Sequence, residues 1–385
     1  MGSMILKVLL LVLAGGLLAL SLLTVAKVPV SVNWKLTLVA GEFGYWFAAF
    51  TLMVAGVSWL TRGSSLGIAL TGIMFCALAI GLFCKPLFDA RAIAIRLPEQ
   101  MAQAFGPAEK DHRVFFWSRL WAANPPVVSV QTHEYSPGLQ LDLRLPPASE
   151  QPVACVIMIH GGGWDSGDRK ELEFFNNWLV QEGYAVASLD YRLAPEHIWP
   201  AQRDDVLGAI QWLKDRAWEL GIDPTQFVLM GRSAGGQIAS ATAYTAQDKS
   251  IRGVISLYAP HDMPFVWSIA RPDDALNSDK LMRQYLGGPP DTPEREARYL
   301  AASAHLNIEP ARPMPTLLMH GLLDTLVWYR HSERFAASLA EVGHPHVLIE
   351  LPWAAHAFEY NLSGPAGQLT TYAVRRFLHS VTDDS

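Results

Sequence analysis

The sequence predicts an α/β domain, a mostly parallel sheet covered by helices on both faces, preceded by about three apolar helices of membrane-spanning length. Three observations predict it. Val153–Ile159, Phe227–Met230 and Pro315–Met319 are unbroken apolar runs of strand length, the pattern of strands buried on both faces. Between such runs lie helical stretches such as Arg203 to Glu219 and Tyr329 to Val342, the alternation of a βαβ architecture. Finally, 50% hydrophobic and only 17% charged residues is apolar for 385 residues, and the excess sits at the N-terminus.

In chain order, Met1-Gly2-Ser3 before a second methionine reads as a cloning remnant. Met4 to Ala26 carries one charge, Lys7; Leu36 to Leu60 carries only Glu42; Leu66 to Cys84 carries none. A hydrocarbon layer of about 30 Å takes about 20 apolar residues of helix, so each stretch qualifies as a span. Residues 1–85 are therefore expected to form a three-helix membrane anchor, with Trp34, Tyr45, Trp46 and Trp59 as interfacial residues. Glu42 is expected near the headgroups, because Gly41 to Gly44 opens its span. The first stretch also has the shape of a secretory signal, although the next two spans would still anchor the product. Lys27, Lys35, Lys85, Arg91 and Arg96 flank one side of three spans, and Lys7 and Arg62 the other; five against two predicts an integral membrane protein with a cytoplasmic catalytic domain. Cys76, Cys84 and Cys155 suggest no disulfide framework.

Residues 86–124 mix apolar side chains with several arginines and are expected to be amphipathic linker or cap helices. Pro125-Pro126 marks the next boundary, so the catalytic domain is placed at 125–385. The strict alternation of Val127–His133 and of Leu139–Leu145, joined at Ser136-Pro137-Gly138, predicts an antiparallel hairpin at the sheet edge. A cap insertion is expected at about 260–312, roofing the pocket.

The chemistry is carried by four pieces. The run 227–230 ends in Gly231-Arg232-Ser233-Ala234-Gly235, the form of a strand-to-helix turn that exposes a serine while small residues two before and two after it permit close packing. The strand Val153–Ile159 runs into His160-Gly161-Gly162-Gly163-Trp164, where bare backbone can aim N–H groups at a developing oxyanion. Pro315–His320 leads to Gly321-Leu322-Leu323-Asp324, and Val347–Leu351 to Ala355-His356. The chain order is thus Ser, Asp, His. Asp190, at the end of Ala185–Leu189, and Glu359 compete with Asp324 as the acid; Asp190 beside Tyr191-Arg192 reads as structural, and so does His160. Arg232 is expected to pair with a carboxylate near the turn.

From about residue 125 onward the chain resembles the α/β-hydrolase superfamily, and within it carboxylesterases similar to hormone-sensitive lipase. The resemblance rests on His160–Trp164, on Gly231–Gly236 and on Tyr191-Arg192-Leu193-Ala194-Pro195-Glu196. Two departures bear on the subfamily and its substrate: Arg232 stands where the family usually has an acid, and the His320-Gly321-x-x-Asp324 form also occurs in xylan and feruloyl esterase relatives and in prolyl-oligopeptidase-type hydrolases. The resemblance implies Ser233 as nucleophile, His356 as general base, Asp324 as its orienting acid, and the N–H groups of Gly162, Gly163 and Ala234 as oxyanion hole. It implies no metal or cofactor. The expected substrate is a small to medium apolar or amphiphilic ester, lipid esters included. Acyl transfer would use the same residues, and a non-catalytic ligand-binding module or a peptidase are the readings from other classes. Homodimers through the last strand or helix occur among the resembling esterases. A net charge of −6 provides no basic field, so nucleic acid is not an expected partner.

Overall fold

The computed structural model describes residues 2–27, 33–63, 65–107, 113–147 and 151–382; Met1 lies outside them. The apolar N-terminal third forms four helices: α1 (Gly2–Leu22), α2 (Asn33–Glu42), α3 (Gly44–Leu60) and α4 (Leu66–Phe105). By length and composition α1 and α4 are long enough to cross a membrane. The pair α2 and α3 forms one further bent stretch, broken at Phe43 by 77°. Small residues let these helices approach: a Cβ on Gly44 would lie 2.7 Å from the Phe83 carbonyl oxygen, and Ala14, Ala48, Cys76 and Ala79 fill the seam.

At 40 residues, α4 is about 60 Å long, twice the thickness of a hydrocarbon layer. Its first half is apolar all round. Its second half buries Leu97 and Met101 in the same cluster as the sheet residues Val156 and Val228, and Phe105 meets Phe377 edge-on at 5.0 Å. Residue 85, expected as a domain boundary, therefore lies inside a continuous helix. After α4 comes a 3-10 turn, Trp117–Trp121.

The C-terminal part is an eight-stranded sheet: β1 (Gln131–Ser136), β2 (Leu139–Arg144), β3 (Val153–Ile159), β4 (Ala185–Leu189), β5 (Ile222–Arg232), β6 (Ile251–Leu257), β7 (Thr316–Gly321) and β8 (His346–Leu351), in the order β1-β2-β4-β3-β5-β6-β7-β8. Only β2 runs antiparallel to its neighbours. The expected edge hairpin is present, but its first strand begins at Gln131 rather than Val127. Pairing stops at the Gln131–Leu143 pair, and Val127 is exposed. Alternation along β3 shows how one strand serves two layers: Cys155, Ile157 and Ile159 enter the cluster beneath α6 (Ala201–Asp215), α8 (Ala234–Thr245) and α12 (Arg330–Glu341). Val156 and Met158 enter the opposite cluster, beneath α4, α5 (Glu173–Gln181) and α13 (Pro365–Thr382). A short α7 (Ala217–Leu220) precedes β5, and the insertion after β6 folds as α9 (Met263–Ile269), α10 (Ser278–Leu286) and α11 (Pro293–Ala301).

Glu42 is not where the sequence reading put it. Its carboxyl group is buried against the α/β domain, accepting hydrogen bonds from Trp353 Nε1 at 2.9 Å and from the Ala366 N–H at 3.0 Å. The helix break at Phe43 turns Glu42 toward the first turn of α13, whose N–H groups have no acceptor within their own helix. Tyr45, expected as an interfacial residue, is likewise buried and donates to the Leu120 carbonyl at 2.6 Å; Trp46 and Trp59 are exposed.

Candidate active site

The three sequence-predicted residues sit at the C-terminal ends of β5, β7 and β8. Ser233 occupies the single-residue junction between β5 and α8, with φ 51° and ψ −122°. That is a strained conformation for a residue with a Cβ, and the packing around it enforces it. A Cβ on Gly231 would lie 2.1 Å from the Gly235 carbonyl oxygen, and one on Gly235 would lie 2.2 Å from that of Ile159. Strand, turn and helix thus close on one another with no room for a methyl group.

The loop after β3 runs beside this turn. A Cβ on Gly161 would be 3.5 Å from Ser233 Cβ. Gly162 (φ 103°) and Gly163 (φ 60°) take left-handed backbone, and the Gly161 N–H donates to Glu171 at 2.8 Å. The N–H groups of Gly162, Gly163 and Ala234 have no acceptor among the described residues. The loop is held from behind: His160 stacks on Tyr191 at 4.2 Å, and the Tyr191 hydroxyl donates to the His160 carbonyl at 3.1 Å. Arg192 clamps Asp205, and Gln202 donates to the carbonyls of Arg192 and His197. Tyr191–Glu196 is thus a buttress for the glycine loop, and burial keeps His160 below its ordinary pKa, as the neutral ring. Trp164 stacks on Tyr285 at 4.4 Å and donates to Gln237, which also accepts from the Tyr285 hydroxyl and so ties α8 to α10.

Asp324 is fully enclosed. Its Oδ1 accepts the N–H groups of Leu326 (2.8 Å) and Val327 (3.0 Å), and its Oδ2 lies 2.6 Å from His356 Nδ1 and 3.5 Å from His320 Nε2. Burial alone would raise its pKa, but the His356 charge and the hydrogen bonds from His320 and His356 hold it well below the usual carboxylate range. An ionised carboxylate only accepts, so the proton of a neutral His356 sits on Nδ1 and its Nε2 keeps a lone pair. Tyr258 packs on the imidazole at 4.4 Å between centroids, and Trp34 meets it edge-on at 6.3 Å. Ser233 Oγ and His356 Nε2 are left without hydrogen-bond partners among the described residues.

The competing acids are engaged elsewhere. Asp190 binds Arg169 Nη1 at 2.6 Å, and Glu359 binds Arg232 Nε at 2.8 Å while accepting from the Tyr258 hydroxyl. Arg232, beneath the serine, is buried over the Phe175 ring, so it pairs with a carboxylate as expected. Sequence reasoning missed Tyr258 and Trp34. Neither belongs to a motif, although the three-residue step from His356 to Glu359 was visible.

Under the acid loop lies a group of histidines. Burial, reinforced by His320, pushes His331 down to about 3, and burial and its histidine neighbours push His261 well below the ordinary value. The unfolded chain protonates these rings near pH 6.5, so below that pH it binds more protons than the folded one. Stability is therefore full above about pH 6.5 and falls as the pH drops toward 3, by on the order of 4 kcal/mol for His331 alone. A thermal midpoint measured from pH 7.5 to 4 should decline, and His331→Gln should flatten the decline; a level profile in the parent would contradict this.

A cavity of about 680 Å³ opens beside the site, reaching it at Asp324 and Trp164 and walled by Val266, Ile269, Leu281 and Met282 from the insertion. No group of three or more His, Cys, Asp or Glu side chains able to hold a metal occurs among the described residues.

Strand order, the strained serine after β5 and the acid and histidine after β7 and β8 define an α/β-hydrolase fold. The chain belongs to the BD-FAE family, whose profile matches residues 141–339. It is similar to the probable carboxylic ester hydrolase LipM of Mycobacterium tuberculosis, with 30% identity over 64% of this chain and 59% of LipM. It is also similar to the esterase LipC of the same organism, with 27% identity over 60% of this chain and 59% of LipC. The chain thus spans about three fifths of these relatives. Among solved structures, a bacterial heroin esterase superposes with a TM-score of 0.55 at 22% identity, over 76% of this chain and 93% of that one, a likeness of fold.

Proposed function

We propose that this protein is a membrane-anchored serine carboxylesterase acting on small to medium apolar or amphiphilic esters. The observation that carries it is the buried Asp324–His356 pair at 2.6 Å together with a serine in a strained, glycine-locked turn, all three following the C-terminal ends of strands of one sheet. Ser233 Oγ attacks the ester carbonyl as His356 Nε2 takes its proton. The free N–H groups of Gly162, Gly163 and Ala234 receive the oxyanion. His356 then protonates the leaving alcohol, and water activated by the same ring releases the acid from the acyl-enzyme. The names of LipM and LipC support ester hydrolysis.

The anchor reading rests on α1, on the first half of α4 and on the bent α2–α3 pair, with the exposed Trp46, Trp117 and Trp121 as interfacial side chains. The charge count around the spans favours a cytoplasmic catalytic domain.

The test is hydrolysis of p-nitrophenyl esters of increasing acyl length by detergent-purified protein beside Ser233→Ala. The variant should lose at least about 10³-fold in kcat while keeping its thermal midpoint within a few degrees. A parent no faster than the variant at any chain length would sink the esterase reading.

A further inference from the structure

The N-terminal segment is more than a tether. The chain leaving α1 brings Lys27 to the mouth of the cavity, where its ammonium lies 4.7 Å from the centre of the Tyr329 ring and no carboxylate pairs with it among the described residues. Seven residues after Lys27, the start of α2 presents Trp34 edge-on to the imidazole of His356, with ring centroids 6.3 Å apart. The other end of α2 is fastened to the loop that carries that histidine. Glu42 accepts from Trp353 Nε1, three residues before His356, and from Ala366 N–H, and Asn361 donates to the Glu42 carbonyl at 2.9 Å. Gly41 is pressed against the same indole, a Cβ there lying 3.2 Å from Trp353 Cδ1. Thus α2 is held to the catalytic loop at both ends, and Lys27, beyond the end of α1, lines the substrate cavity.

The position of α2 relative to the spans is fixed by their contacts. Thr24 bonds the Leu82 carbonyl and Gly44 abuts Phe83, so the end of α1, the start of α3 and the middle of α4 share one level. At that level the exposed Trp46 and Trp121 meet edge-on at 6.4 Å, side chains of the kind that favour a membrane–water boundary. The opposite ends meet at another level, where Gly63 lies beside Lys7 Nζ and Ser65 beside Met4. With α1, α3 and the first half of α4 in lipid, α2 lies along the boundary and the catalytic histidine sits directly behind it.

Resting on the esterase reading above, we infer that Lys27 and Trp34 of the membrane segment form one wall of the substrate site and select esters that enter from the bilayer surface. Such a substrate is an amphiphile. Its apolar chain occupies the cavity between the insertion and the loop after β7, and its ester carbonyl reaches Ser233 past Trp34. Lys27 stands at the boundary, where it meets the polar end. The cavity rim also carries Arg271, Asp273 and Asp274, so its charge is mixed and the selection is for amphiphilic shape, with Lys27 as a polar anchor rather than the whole of an anion site.

The experiment compares full-length protein in phosphatidylcholine vesicles with Lys27→Met, Trp34→Ala and the milder Trp34→Phe. Each is assayed on p-nitrophenyl acetate from solution and on p-nitrophenyl laurate carried in the vesicles. Trp218→Ala, at an exposed site on α7 away from the spans, is the control. The ratio of laurate to acetate kcat/KM should fall about fivefold or more in Lys27→Met and Trp34→Ala, with Trp34→Phe between them and the parent, and should not change in the control. An active parent whose variants all keep the parental ratio overturns the inference and leaves the esterase reading standing. A parent inert to both esters overturns the esterase reading and the inference together. Lys27 is exposed, so Lys27→Met decides the matter should Trp34→Ala fail to fold.

Discussion

Asp324→Asn is expected to lower kcat by about 10³–10⁴-fold with little change in stability. The local hydrogen bonds dictate how. The N–H groups of Leu326 and Val327 both donate to Oδ1, so an asparagine at this place keeps its carbonyl oxygen there and turns its amide nitrogen toward His356 Nδ1. Two donors cannot face each other. The imidazole must then carry its proton on Nε2, the tautomer that cannot accept one from Ser233. The isosteric side chain keeps the pocket filled, so the thermal midpoint should stay close to that of the parent while kcat on p-nitrophenyl acetate collapses. A variant within tenfold of the parent would show that the acid does not hold the tautomer, and the proposed mechanism would have to change.

The second large effect is on stability. Removing the Glu359 side chain as Glu359→Ala should cost about 3–5 kcal/mol, because it strands the Arg232 guanidinium over Phe175 with no counter-charge and no access to water. One oxygen of Glu359 and one nitrogen of Arg232 already lack partners, so the pair itself offsets its desolvation only in part. Arg232→Met combined with Glu359→Leu should therefore recover most of the loss, since no charge remains to desolvate. Both variants also remove the acceptor of the Tyr258 hydroxyl, whose ring packs on His356, so kcat should fall in each even where stability returns. Denaturant unfolding of the two variants and the parent provides the comparison. A Glu359→Ala protein within 1 kcal/mol of the parent would mean that the guanidinium finds water or another acceptor.

These two sites differ in how legible they were. Ser233, Asp324 and His356 follow strands whose unbroken apolar runs can be recognised locally, and the glycines around the serine are demanded by backbone clashes that a few neighbouring residues create. The edge hairpin and the insertion roof were legible for the same reason, apart from a strand start that depends on where a partner is present to pair. The partner of Arg232 lies 127 residues away, and no local pattern distinguishes it from other acids. The second half of α4 was read as a separate linker because its composition changes at Lys85, yet a helix can exchange a lipid-facing surface for a protein-facing one without interruption.

The sequence by itself determined the α/β class, the chain order of the proposed serine, aspartate and histidine and the apolar N-terminal helices, because strand burial, turn geometry and helix hydrophobicity are all written within ten to twenty neighbouring residues. The tertiary structure alone decided that Glu42 is a buried tie to Trp353 and α13 rather than a headgroup-level acid, that the second apolar stretch breaks to make it so, and that Trp34 and Lys27 stand at the site. Those facts turn on contacts between segments some 300 residues apart, Glu42 to Trp353 being separated by 311, and a carboxylate at a helix end looks the same in sequence whether water or a distant helix N-terminus receives it.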